Sequence, residues 1–85
     1  MHEFSLLADL FRKIETIVSE NQAHQATRVT VQLGALAHIS PEHLREHFNQ
    51  AKSGTSAENA ELEVTLTDEH DPQAQDIVLR SLEVV

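Results

Sequence analysis

Chemistry in this chain must come from His, Asp, Glu, Ser or backbone groups. The sequence contains no cysteine, so there is no thiolate ligand, thiol nucleophile or disulfide framework. The first arrangement that could act is Met1-His2-Glu3. An imidazole at position two stands beside the α-amine of Met1 and its own backbone nitrogen, with the Glu3 nitrogen one residue on. Adjacent backbone nitrogens close five-membered chelate rings on a metal, and His2 Nδ1 with its own amide nitrogen closes a six-membered one. Planar nitrogen sets of this kind suit Ni(II) or Cu(II) better than Zn(II), which prefers a tetrahedron. Methionine before a residue as bulky as His is a poor candidate for removal, so Met1 is expected to stay. On composition alone, a frayed terminal residue is the favoured account of His2.

The second arrangement is His43 and His47, four apart in a helical pattern, with Glu42 and Glu46 beside them. That spacing puts both imidazoles on one face, as a helical metal pair requires. A solvated helix face explains the same residues and is the reading adopted. The third is Asp68-Glu69-His70-Asp71, whose carboxylates could draw a hard cation. It lacks the spacing and the glycine of a calcium loop and reads as solvated. His24, His38 and His70 stand in polar or loop contexts and read as surface residues. No Ser/His/Asp order stands out, and two glycines, Gly34 and Gly54, cannot build a phosphate-cradling loop. An enzyme is not expected.

The elements that must position these groups are few, because 85 residues make one domain with a small core. Hydrophobic residues at 40% indicate a packed fold rather than disorder. A net charge of −8, from 14 acidic and six basic residues, disfavours nucleic acid and anionic membranes as partners. No secretion signal and no membrane-spanning apolar run are visible, so a cytoplasmic location is the expectation.

Leu7, Leu10, Phe11, Ile14, Ile17 and Val18 keep one helical face apolar, which predicts a helix over residues 5–22 with Ser5 as its N-cap. Val29, Val31 and Leu33 alternate with Arg28, Thr30 and Gln32, the period of a strand with one buried face, which Gly34 ends or bends. Ser40-Pro41 starts a second helix. Leu44, Phe48 and Ala51 form its stripe over residues 41–52, and Gly54 is its expected C-terminal cap. Leu62, Val64 and Leu66 mark a second strand, and residues 67–76 a loop. Ile77, Leu79, Leu82 and Val84 mark a third, with a bulge expected near Arg80-Ser81 where the apolar phase slips. The order implies a parallel pair joined by the second helix and a hairpin-like return into the last strand. The expected fold is α+β: a two-layer domain with two helices packed on one face of a three-stranded mixed β-sheet. Its exposed strand edge makes a homo- or hetero-oligomer a reasonable expectation.

Several segments together carry a resemblance. Met1-His2-Glu3-Phe4-Ser5-Leu6, Leu33-Gly34-Ala35-Leu36, Ser40-Pro41-Glu42-His43-Leu44, Gly54-Thr55, Ala60-Glu61-Leu62-Glu63-Val64 and Ser81-Leu82-Glu83-Val84 resemble, in order and over nearly the whole chain, the HypA/HybF family of hydrogenase nickel metallochaperones. The resemblance implies transient Ni(II) binding by the His2 side chain and neighbouring backbone nitrogens of Met1, His2 and Glu3, with Glu3 helping to hold or tune the site. It also implies a HypB-like GTPase and a [NiFe]-hydrogenase large subunit as partners. The family fold, two helices on a three-stranded sheet, agrees with the pattern above.

One departure is large. The family carries a zinc ribbon with two C-x2-C pairs between its second and third strands, where this chain has only the short loop at residues 67–76. Without cysteine, no structural zinc of that type is expected. The expectation is therefore a single HypA-like nickel-binding domain over residues 1–85. The alternative is a non-metal-carrying interaction module or dimerising regulatory paralogue.

Overall fold

A computed structural model describes residues 2–85, with side chains from Ser5 onward. The chain runs α1 (His2–Glu20), β1 (Ala26–Leu33), α2 (Pro41–Ala51), β2 (Glu61–Leu66) and β3 (Ile77–Val84). It is the expected α+β arrangement, two helices and a three-stranded mixed sheet. Val29, Val31 and Leu33 are fully buried, and they meet Leu7, Leu10, Ile14 and Val18 of α1 and Leu44 and Phe48 of α2. Phe48 stacks on Phe11 with ring centres 5.1 Å apart, which locks the two helices together. Arg28, Thr30 and Gln32 point to the other face. There Arg28 pairs with Glu63 at 3.1 Å, and Arg80 Nε donates to Gln32 Oε1.

Helix α1 starts at His2 and passes through Ser5, so Ser5 is not its cap. No glycine or proline lies between them to stop it, and extending a helix is easier than nucleating one. Its end also differs, at Glu20 rather than 22. Gln22 takes a left-handed conformation, φ 55°, while Ala23 N–H donates to Val18 O at 2.9 Å and Gln22 N–H to Ser19 O at 3.0 Å. These two bonds are a Schellman closure with glutamine in the place usually given to glycine. Helix α2 begins as expected: Ser40 Oγ accepts from His43 N–H at 3.1 Å and Pro41 opens the first turn. It ends on Lys52, whose N–H donates to Phe48 O, so Gly54 (φ 80°) serves the following turn and not the helix cap.

Strand order is β2-β1-β3, with β2 parallel and β3 antiparallel to β1. The return is therefore not a hairpin onto β2. After β2 the chain crosses the end of β1 to reach its far edge, guided by Thr67 N–H to Leu33 O (3.0 Å), Leu36 N–H to Ala74 O (2.7 Å) and Gly34 N–H to Asp76 O (2.9 Å). Gly34 permits the crossing, because a Cβ there would stand 2.0 Å from Ala74 O. The expected bulge is present: Thr30 faces Ser81 and Val31 faces Leu79, leaving Arg80 extra. A second irregularity leaves Thr27 extra between Ala26 and Arg28.

One contact ties α1 to the turn before β2. Glu15 accepts from Ser56 Oγ at 2.6 Å and from Ser56 N–H at 2.8 Å. The side-chain bond first, and the backbone bond after it, hold the Glu15 carboxyl below its ordinary value, against a small opposing effect of burial.

Candidate metal centre

The topology brings the segments that carry His2, His38, His43 and His70 to one end of the sheet, while His24 lies at the other, where β1 begins. Residues 21–25 return α1 directly into β1, and α2 links β1 to the parallel β2, so both helices run opposite to β1. Their first turns, the segment 34–40 and the segment 67–76 thus share the end where β1 finishes. A cleft there is lined by Leu6 of α1, Leu36, Ala37 and His38 from the first crossing, and Gln75 and Asp76 from the second.

Met1 lies outside the described residues, and so do the side chains of His2 and Glu3; the backbone of both is in the first turn of α1. His38 is exposed and left-handed, φ 63°, a conformation uncommon for a residue with a side chain although histidine is among those that tolerate it. Spacing in the sequence offered no signal that His38 would share a cleft with Leu6 of α1. That proximity comes from the strand crossing.

His43 and His47 sit side by side on α2, ring centres 4.6 Å apart and planes inclined at 55°. His43 is exposed, while His47 is partly covered and shares a groove with Leu7, Ala8 and Phe11 of α1. Their frame is rigid, since Leu44 and Phe48 on the same helix are fully buried. The acidic stretch behaves as a solvated loop: Asp68 Oδ1 accepts from His70 N–H at 2.7 Å and Asp71 Oδ1 from Gln73 N–H at 2.8 Å, turns closed on their own backbone. Exposed His70 has Glu69 beside it, at 4.0 Å. Among the described residues no three His, Asp or Glu side chains converge as a metal cage.

Known proteins share both sequence and fold with this chain. Residues 1–70 match the family described as HypA, hydrogenase/urease nickel incorporation, metallochaperone. The hydrogenase maturation factor HypA of Aquifex aeolicus is 45% identical over 62 residues, covering 73% of this chain and 54% of that protein. That of Archaeoglobus fulgidus is 39% identical over 66 residues, covering 78% and 60%. The chain thus spans about half the length of the curated relatives it matches. The solution structure of the nickel metallochaperone HypA from Helicobacter pylori superposes with a TM-score of 0.82 at 20% identity, covering 100% of this chain and 98% of that one; the likeness is one of fold. A match that begins at Met1 and runs through both helices and the parallel strand pair leaves one assignment: this chain belongs to the HypA family of nickel-incorporation metallochaperones.

Proposed function

We propose that this chain carries Ni(II) as cargo on Met1-His2-Glu3 and hands it to a nickel enzyme under assembly, a [NiFe]-hydrogenase by family. The observation that carries the reading is the family match over residues 1–70, which includes the N-terminal donor set. The His2 imidazole, the α-amine of Met1 and the amide nitrogens of His2 and Glu3 supply planar nitrogen donors. A helix beginning at His2 is compatible with that set, because the first backbone N–H groups of any helix have no intrahelical acceptor and so are not committed to it. The role is carriage, not catalysis, with a HypB-like GTPase and the hydrogenase large subunit as partners. The family match ends at residue 70, inside the short loop at 67–76 that stands where the zinc ribbon is expected. Residues 1–85 then work as a single nickel-binding domain without structural zinc, since the chain offers no cysteine to hold it.

The test is a Ni(II) titration of the chain with a free Met1 amine, run beside His2→Ala and beside a chain extended at its N-terminus. One tightly held ion per chain, with the absorption of a planar nitrogen site, is expected only for the first. Its affinity should fall below about pH 6.5 as His2 protonates. Equal binding by all three would remove the N-terminal site from the reading.

A further inference from the structure

The pair His43 and His47, read from sequence as a solvated face, has a geometry that a solvated face does not require. Metal-to-nitrogen bonds of about 2.0–2.1 Å set each imidazole centre roughly 3.2 Å from a shared ion, so two rings at about a right angle around it stand about 4.5 Å apart. The observed separation is 4.6 Å, with the planes inclined at 55°. We propose that His43 and His47 form a second ion site, a two-imidazole clamp on α2 for a divalent transition ion such as Ni(II).

Three features support it. The clamp is organised before an ion arrives: Ser40 caps the helix at His43 N–H, and Leu44 and Phe48, fully buried between and beyond the two histidines, fix the rotation of α2. Imidazole is the side chain that suits borderline ions such as Ni(II), Cu(II) and Zn(II). The position also suits cargo, since His47 borders a groove with Leu7 and Ala8, five and six residues along α1 from His2. At 1.5 Å of rise per residue that is about 8–9 Å of helix. The clamp does not depend on the N-terminal site, so either can fail alone.

The experiment uses the full chain carrying His2→Ala, titrated with Ni(II) chloride by calorimetry, with imidazole resonances followed by NMR. His43→Ala and His47→Ala are then added to it singly. The His2→Ala chain should bind one ion with perturbation centred on His43 and His47. Either added substitution should weaken binding by at least about tenfold, because the second imidazole acts at high effective concentration once the first is bound. His43 is exposed, so His43→Ala keeps the test decisive should His47→Ala fail to fold. Unchanged affinity in the His43→Ala chain, or perturbation confined to His38 or His70, overturns the clamp. If His2→Ala and the unsubstituted chain bind alike and His43→Ala abolishes both, the clamp stands and the N-terminal reading falls.

Discussion

Replacing Gly34 with Ala should damage this fold far more than one methyl group suggests. The new Cβ would lie 2.0 Å from Ala74 O, 2.2 Å from Ala74 C and 2.8 Å from Ala74 Cα, all backbone atoms with no rotamer to escape into. Reaching ordinary contact at 3.4 Å requires the two segments to part by about 1.4 Å. The carbonyl that must retreat is the acceptor of Leu36 N–H at 2.7 Å. Overpacking of this kind costs about 1–3 kcal/mol, and the disturbed hydrogen bond adds about 0.5–1.5 kcal/mol. A domain of this size holds about 4–13 kcal/mol in total, so a loss near 3 kcal/mol is a large share of it. At about 4–8 °C per kcal/mol, thermal unfolding followed by circular dichroism should show a fall of roughly 10–25 °C. Gly54→Ala is the control: its φ of 80° strains any side chain, but nothing lies within 4 Å of a Cβ there, so it should cost only about 1 kcal/mol. A Gly34→Ala chain melting within 2 °C of the parent, or below which Gly54→Ala falls, would refute the close-approach argument.

Other expectations follow from single contacts. Gln22→Gly should raise stability by about 0.5–1 kcal/mol, because it relieves the left-handed residue of the α1 closure; a denaturant midpoint that does not rise counts against it. Glu15, with its carboxyl held below the ordinary value by Ser56, contributes stability that is complete above the unfolded glutamate pKa and is lost as pH falls through the lower folded one. Glu15→Gln should therefore flatten the acid side of the stability profile while leaving its shape at neutral pH, which melts between pH 3 and 7 would show. Ser40→Ala should cost about 1 kcal/mol by removing the cap on His43 N–H, measurable as a fall in the urea midpoint.

Much of this architecture is legible in the sequence because local rules and packing agree. The two-residue alternation of Val29, Val31 and Leu33 matches their complete burial, Ser40-Pro41 caps α2 as such a pair should, and the slip between Leu79 and Leu82 is taken up at Arg80. What is not legible is set by contacts between distant segments. Nothing in the hydrophobic pattern of residues 77–84 says which edge of β1 they join, and nothing around Gly34 announces the backbone of Ala74 against it. The start of α1 is missed for a different reason: Ser5 is a good cap by type, but capping preference is worth only about 1 kcal/mol and does not halt a helix that can continue. For the site, Met1-His2-Glu3 is visible as a donor set from spacing, and its nickel role is the proposal made above. The separation and tilt of the two imidazole rings on α2 depend on rotamers, which spacing does not supply.

The crossing from β2 to β3 has a consequence for how such a protein can change over generations. Its later half is anchored, with Ala74 buried and bonded to Leu36 and Asp76 bonded to Gly34, while Asp68, Glu69 and His70 are exposed and, among the described residues, bonded only within their own turn. Extra chain entering at those three positions would disturb no strand register and no core contact. Lengthening the crossing from about ten to several tens of residues costs only on the order of 1–2 kcal/mol in closure entropy. The sheet thus offers a socket: a whole module can be plugged in or dropped there by a single genetic event, and the two helices with their histidines would keep their places either way.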